Sequence, residues 1–192
     1  MGRKAIFLDR DGVINEDSGW IASPDELKMY PFAAQAIARA NEAGFLVIVI
    51  TNQSVIAREL CTVDDVERIH AKMAEELAGQ GARLDAILFC PHHPDYGEGE
   101  LCGCRKPKAG LVDQAVREFG IEPAASYMIG DKTSDIQTGI NAGMHTILVR
   151  TGKAGKDGLL RVSADWIEDD LLSAITRILH EETIASKKKV AD

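Results

Sequence analysis

The apolar positions of this chain gather in short unbroken runs, each ending abruptly in polar or charged residues. Ala5-Ile6-Phe7-Leu8 passes into Asp9-Arg10-Asp11-Gly12, and Phe45-Leu46-Val47-Ile48-Val49-Ile50 into Thr51-Asn52-Gln53-Ser54. Ala86-Ile87-Leu88-Phe89 leads to Cys90-Pro91-His92-His93-Pro94, and Tyr127-Met128-Ile129 to Gly130-Asp131-Lys132. Continuous apolar runs of this length are how strands buried on both faces read. The stretches between them carry helical spacing instead. Ala33, Ile37 and Ala40 form a stripe for a helix over 31–44, and Val63, Val66, Ile69, Met73 and Leu77 form the core stripe of a second. Further helices are predicted over 109–120, 133–142 and 170–182, with peripheral strands at 145–149 and 164–167. Strands alternating with helices predict an α/β fold with a doubly wound, mainly parallel sheet. No repeat or linker divides the chain, so one domain over 1–184 is expected, followed by a disordered tail at 185–192.

Open parallel sheets bind ligands at the carboxyl ends of their strands, where the acids lie here. Side chains alternate along an extended chain, so Asp9 and Asp11 are expected on one side and Arg10 on the other. Two such carboxylates are stable when a cation lies between them or one is protonated. With a divalent ion, Asp9 could approach a phosphoryl group while Asp11 carries a proton. Gly12 would let the chain turn out of the strand. Trp20, in the polar stretch after it, reads either as a substrate wall or as a local anchor. Thr51 and Ser54, with nearby amides, suit phosphoryl oxygens, or else simply cap a turn. Asp131 ends its strand as Asp9 does and could complete a magnesium site of oxygen ligands, with Lys132 a cation at the same rim. Asp135 reads equally as a support of that site or as a first-turn acid of the following helix.

Charge and cysteine usage narrow the partners. The chain has 192 residues and a formal net charge of -8, which argues against nucleic acid as the main partner but allows a small anionic substrate. There is no membrane-length apolar run or signal-peptide pattern, so a soluble, cytoplasmic protein is expected, and a monomer. Cys90 and His92 followed by Cys102 and Cys104 offer three thiolates and an imidazole, the ligand set of a closed tetrahedral zinc site. His93 is an alternative to His92, and a redox pair of Cys102 and Cys104 is the competing reading. Cys61 stands apart, and His70 reads as surface or packing. Arg105-Lys106-Pro107-Lys108 concentrates positive charge before the helix over 109–120, a combination that can bind phosphate.

In this order and at these strand ends, Asp9, Asp11, Thr51, Lys106 and Asp131 resemble the haloacid dehalogenase (HAD) superfamily of phosphotransferases over residues 5–150. The resemblance implies a Rossmann-like core with Asp9 as nucleophile, forming an aspartyl-phosphate. Asp11 would be general acid and then general base, and Thr51 and Lys106 would stabilise the phosphoryl group. Magnesium would be held by Asp9, the Asp11 backbone carbonyl and Asp131. Asp17-Ser18-Gly19-Trp20, Thr51-Asn52-Gln53-Ser54, Ile56-Ala57-Arg58, the cysteine and histidine pattern and Arg105-Lys106-Pro107 extend this to a narrower resemblance. They are similar to the D-glycero-D-manno-heptose 1,7-bisphosphate 7-phosphatase family across nearly the full chain. That resemblance implies no separate cap domain and a zinc-clamped loop held by Cys90, His92, Cys102 and Cys104. It implies substrate contacts from Asp17, Ser18, Gly19, Trp20, Thr51, Asn52, Gln53, Ser54, Arg105, Lys106 and Lys132, and a product that feeds nucleotide-heptose synthesis for lipopolysaccharide. Histidinol-phosphate phosphatase, with the same acids and zinc pattern, is the sister reading; a receiver-type or metal-binding scaffold is a remote one. Glycine is usual in the family where this chain has Val55 and Glu59, and threonine is common where it has Val13.

Overall fold

The computed structural model describes residues 2–96 and 102–191. Six strands, all parallel, form one sheet in the order β3-β2-β1-β4-β5-β6. They are β1 (Ala5–Leu8), β2 (Leu46–Asn52), β3 (Ala86–Cys90), β4 (Tyr127–Gly130), β5 (His145–Val149) and β6 (Trp166–Glu168). The helices between and after them are α1 (Ala33–Glu42), α2 (Val63–Ala78), α3 (Gly110–Phe119), α4 (Thr133–Asn141) and α5 (Leu171–Ala191).

The continuous apolar runs are explained by burial on two sides. Ile6, Leu8, Val47, Val49 and Ile129 pack under α1, α2 and α5, while Phe7, Ile48, Ile50 and Met128 pack under α3. Successive residues of one strand thus feed opposite core layers. α4 shares the α3 face and sits close, because a Cβ on Gly139 would come within 2.8 Å of Met128.

The chain runs from β1 outward to β2 and β3, then returns to place β4 on the other side of β1. That reversal opens a crevice beyond the carboxyl ends of β1 and β4, where ligands settle in folds of this kind. Asp9 and Asp131 are the residues that follow those two strands.

Three expectations are corrected. Val63 is 42% exposed rather than core, because as the first residue of α2, just after the Thr62 cap, it lies short of the packed face. α5 continues to Ala191, through residues expected to be a disordered tail; Ala185-Ser186-Lys187-Lys188-Lys189 contains no glycine or proline to stop a helix. Arg10 does not point away from Asp11: its chain turns back at Gly12 (φ +88°), and the Arg10 carbonyl accepts from the amides of Val13, Ile14 and Asn15.

The segment after β2 explains how glycine is replaced. Val55 is buried in a helical turn in which Arg58 N donates to Ser54 O (3.1 Å), and it does not have positive φ. Glu59, at φ 58°, ends that turn in the left-handed region. A non-glycine residue there costs ~1 kcal/mol. Glu59→Gly should therefore raise the melting temperature by about 2–4 °C, measured by calorimetry; an unchanged or lower value would show that the Glu59 side chain compensates.

Candidate active site

The floor of the crevice is a set of buried charges. Asp9 Oδ1 accepts from the Arg10 amide (2.7 Å) and lies 2.9 Å from Lys106 Nζ. The same ammonium is 2.6 Å from Asp135 Oδ1 and donates to the Ile50 carbonyl at 2.9 Å. Lys132 Nζ stands 3.6 Å from Asp9 Oδ2 and 3.6 Å from Asp131 Oδ1. Burial opposes a charge on Asp9, but Lys106 and Lys132 outweigh it and hold the carboxyl at about 2. Burial likewise opposes charge on both lysines, and the surrounding carboxylates hold both ammoniums above their ordinary range.

Asp131 differs from Asp9. Burial, with the charge of Asp9 added, pushes its carboxyl up to about 7. Its Oδ2 accepts from the Lys153 amide (2.7 Å), while Oδ1 is buried without a hydrogen-bond partner among the described residues. Asp9, Asp131 and Asp135 bring oxygens within 4.8 Å of one another. Three carboxylates against two ammoniums leave one unmatched negative charge, and an orphaned oxygen faces the group. Hard oxygen donors in this arrangement fit Mg²⁺. Asp135 also accepts from the Lys132 amide (3.0 Å), which is the first-turn role expected of it, and its other oxygen lies against Lys106 in the floor of the site.

Lys106 is aimed by β2. Asn52 Oδ1 accepts from the Lys106 amide (3.0 Å) and Asn52 Nδ2 donates to the Lys106 carbonyl (3.1 Å). The loop after β5, which the motifs did not single out, supports Asp131 from the other side. Thr151 Oγ1 donates to the Gly12 carbonyl (2.6 Å), and a Cβ on Gly152 would lie 2.2 Å from Asp131 Oδ2. Thr151-Gly152-Lys153 directly after an apolar strand was the available signal.

Behind Asp11 lies a second network that sequence reasoning missed. Arg10, 1% exposed, donates from Nε (3.0 Å) and Nη2 (2.9 Å) to Asp11 Oδ1. It also donates to Gln53 Oε1 (3.1 Å), and Nη1 lies 3.2 Å from His70 Nε2. Asn15 and Gln53 donate to the Asp11 carboxylate as well, at 2.9 and 3.1 Å. Gln53, expected at the substrate, is thus a buried support that also donates to Thr51 Oγ1 (2.9 Å). His70 is buried, packed edge-on to Phe89, and burial with the Arg10 charge lowers its pKa from 6.5 to about 3.

The loop between β3 and α3 closes the site. Cys90 Sγ is 3.5 Å from Cys102 Sγ and 3.7 Å from His92 Nδ1, and Cys104 Sγ is 3.5 Å from His92 Nδ1. Separations of this size fit the edges of a tetrahedron that would take zinc, and the sulfur–sulfur distance is too long for a disulfide. His93 is engaged elsewhere, its Nδ1 accepting from the Asp95 amide (3.1 Å). Residues 97–101 of this loop lie outside the described residues. Arg105 Nη1 donates to the His92 carbonyl (2.8 Å).

Together these residues line a cleft of about 680 Å³. Asp9, Asp11, Thr51, Lys106 and Lys132 lie in it, and Asp17, Gly19, Trp20, Asn52, Ser54 and Arg105 border it; Ser18 does not. The helix whose first turn reaches the cleft, through Ser134 and Asp135, is α4 rather than α3. Lys153 adds a cation 3.3 Å from Asp17 Oδ2. A negatively charged group entering here meets an ionised carboxylate, two lysines and a hydroxyl, the requirements of phosphoryl transfer.

Comparison with known proteins agrees with this chemistry. A HAD-hydrolase-like family model matches residues 103–174. The D-glycero-beta-D-manno-heptose-1,7-bisphosphate 7-phosphatase of Haemophilus ducreyi is 42% identical over 159 residues, covering 80% of this chain and 87% of the relative. The D-glycero-D-manno-heptose-1,7-bisphosphate 7-phosphatase of Chlorobaculum tepidum is 40% identical over 185 residues, covering 90% and 92%. The crystal structure of D,D-heptose 1,7-bisphosphate phosphatase from B. bronchiseptica, complexed with magnesium and phosphate, matches with a TM-score of 0.83 at 38% identity, covering 93% of this chain and 99% of that one.

Two outcomes are expected of the supports. Elemental analysis should find about one zinc per chain, lost in Cys102→Ser together with several degrees of melting temperature; full zinc retention in the variant would remove Cys102 from the ligand set. For His70, the unfolded chain binds more protons between pH 6.5 and about 3, so its contribution to stability is present above 6.5 and lost as pH falls through that window. Melting temperatures taken from pH 7 downward should fall less steeply in His70→Gln, and parallel slopes would contradict this.

Proposed function

The chain belongs to the D-glycero-D-manno-heptose-1,7-bisphosphate 7-phosphatase family of HAD-like hydrolases, and on that premise we propose how its residues remove the 7-phosphate. The observation that carries the assignment of roles is Asp9, held ionised between Lys106 and Lys132 at a buried strand end. Asp9 attacks phosphorus, the bond from phosphorus to the sugar O7 breaks, and Asp11 donates a proton to that oxygen. The aspartyl-phosphate is then hydrolysed: Asp11 takes a proton from the attacking water, the bond from phosphorus to the Asp9 oxygen breaks, and phosphate leaves.

Negative charge spread over the phosphoryl oxygens is met by Lys106 Nζ and the Thr51 hydroxyl. Arg10, Gln53 and Asn15 hold the Asp11 carboxylate for its two proton transfers. Asp9, the Asp11 backbone carbonyl and Asp131 would hold Mg²⁺, which would supply the charge that lets an anionic nucleophile meet an anionic phosphoryl group. Cys90, His92, Cys102 and Cys104 would hold a structural zinc, which would keep Arg105 and Lys106 at the cleft. Asp17, Gly19, Trp20, Asn52, Ser54, Arg105 and Lys132 form the wider substrate surface, with Gln53 acting from behind it.

The substrate is a small anionic sugar bisphosphate, and the names of the beta-specific relatives favour the β anomer. The product keeps its anomeric phosphate for nucleotide-heptose synthesis. No described helix is long and apolar enough to cross a membrane. The reading is of a cytoplasmic, monomeric enzyme that does not act on nucleic acid.

Phosphate release with magnesium, compared for both anomers of the heptose bisphosphate and for histidinol phosphate, tests this. The β anomer should be hydrolysed fastest, and Asp9→Asn should lose more than about 10³-fold in rate while keeping its zinc. Faster hydrolysis of histidinol phosphate would transfer the chain to the sister activity, and an active Asp9→Asn would remove Asp9 as nucleophile.

A further inference from the structure

The mouth of the cleft is framed by segments distant in sequence, and one side chain touches two of them. The Arg58 guanidinium carbon lies 3.9 Å from the Tyr96 ring centroid and 4.9 Å from the Trp20 ring centroid. Trp20 lines the cleft, is 59% exposed, and follows Gly19 at φ +97°. An aromatic so exposed on a polar, glycine-bearing loop has little packing to fix it, and a stacked cation supplies that.

Tyr96 closes the turn that begins at His93. Its amide donates to the His93 carbonyl (3.4 Å), and the two rings meet edge-on with centroids 4.9 Å apart. His93, Pro94 and Asp95 all line the cleft, and the turn follows directly on His92 of the thiolate cluster. Arg58 sits on the short turn after β2, fixed by the hydrogen bond its amide donates to the Ser54 carbonyl and by the left-handed Glu59 beside it. Its Nε is buried with no hydrogen-bond partner among the described residues, so aromatic stacking is the contact that holds this cation.

We propose that Arg58 is a specificity-determining positioning residue: stacked between Trp20 and Tyr96, it ties the loop after Asp11 to the metal-clamped loop and sets the width of the mouth. The inference rests on the heptose-bisphosphate reading, in which the mouth receives the part of the substrate remote from the reacting phosphate. The chemistry takes place on the floor, which Arg58 does not touch. Losing the brace therefore weakens binding of a long bisphosphate and spares a small ester that reaches only the floor. Lysine keeps the charge but not the planar stack, which separates the two contributions.

The test combines kinetics of the wild type, Arg58→Ala, Arg58→Lys and Tyr96→Phe with a spectroscopic readout. Substrates are the heptose 1,7-bisphosphate and p-nitrophenyl phosphate; acrylamide quenching of Trp20 is followed in a Trp166→Phe background, and zinc content is checked throughout. In Arg58→Ala, KM for the bisphosphate should rise about five- to tenfold with kcat within about twofold. Turnover of p-nitrophenyl phosphate and zinc content should hold, and Trp20 should become more accessible to quencher. Arg58→Lys should recover only part of the loss, and Tyr96→Phe should behave as wild type. An unchanged KM, an equal loss on both substrates, or unaltered Trp20 quenching overturns the proposal. A wild type with no preference for the bisphosphate, but with Trp20 released in Arg58→Ala, overturns the substrate reading and leaves the brace standing.

Discussion

Lys106 is placed among Asp9, Asp135 and the Ile50 carbonyl, in a pocket from which water is almost excluded. An ammonium at that depth is stable only because two carboxylates surround it, and each carboxylate is stable only because of the ammonium. Removing one member leaves an uncompensated buried charge, which costs about 3–5 kcal/mol. The arrangement is therefore a constraint on the fold as much as a device for chemistry. Asp9 comes from the end of β1, Asp135 from the first turn of α4 and Lys106 from the loop before α3. The three elements have to converge for the charges to balance.

Much of the remaining polar structure serves that convergence. The paired hydrogen bonds between Asn52 and the Lys106 backbone fasten the loop to β2, and the thiolate cluster fastens it to the end of β3. On the opposite side, Gly12 and Gly152 let two backbone segments approach Asp131 more closely than any side chain would allow, with Cβ distances of 2.4 and 2.2 Å. The approach buries Asp131, and that burial, with the nearby charge of Asp9 added, raises its pKa. A divalent cation relieves the repulsion between the two carboxylates, so metal affinity is built into the backbone packing rather than added to it.

What was legible in the chain follows from which signals are local. Runs such as Phe45 to Ile50 announce strands buried on both faces, and polar residues at their ends announce the crevice, so the sheet and Asp9, Thr51 and Asp131 were visible together. The cluster of Cys90, His92, Cys102 and Cys104, which could hold zinc, was visible because its spacing is short. Arg10 was misplaced because strict alternation holds only while the strand lasts, and β1 ends at Leu8, before the two acids. His70 and Gln53 were unreadable as partners of Arg10, since residues 43 and 60 positions apart meet only through tertiary packing. The loop at 150–155 was passed over for a related reason: Thr151-Gly152-Lys153 can be seen in the chain, but the amide and the missing side chain it offers to Asp131 count only once the two segments meet in the fold.

The floor and the mouth of the cleft differ in what holds them, and this bears on how the family can vary. On the floor the charged side chains are buried and depend on one another, with a single carboxylate charge left over for a cation, so a substitution disturbs stability and chemistry together. The mouth is held by stacking of Arg58 on Trp20 and Tyr96, by ion pairs of Asp17 with Lys132 and Lys153, and by a turn secured through the thiolate cluster. Partly exposed contacts of this kind are individually weak, and one can change without unbalancing the rest. The departures at Val55 and Glu59 fall in the segment that carries Arg58, where Val55 fits a helical turn and Glu59 accepts a left-handed backbone. They leave the matched charges untouched. Val55 and Glu59 thus shape the backbone that carries Arg58 at the mouth, while the phosphoryl chemistry is tied to packing that tolerates little change.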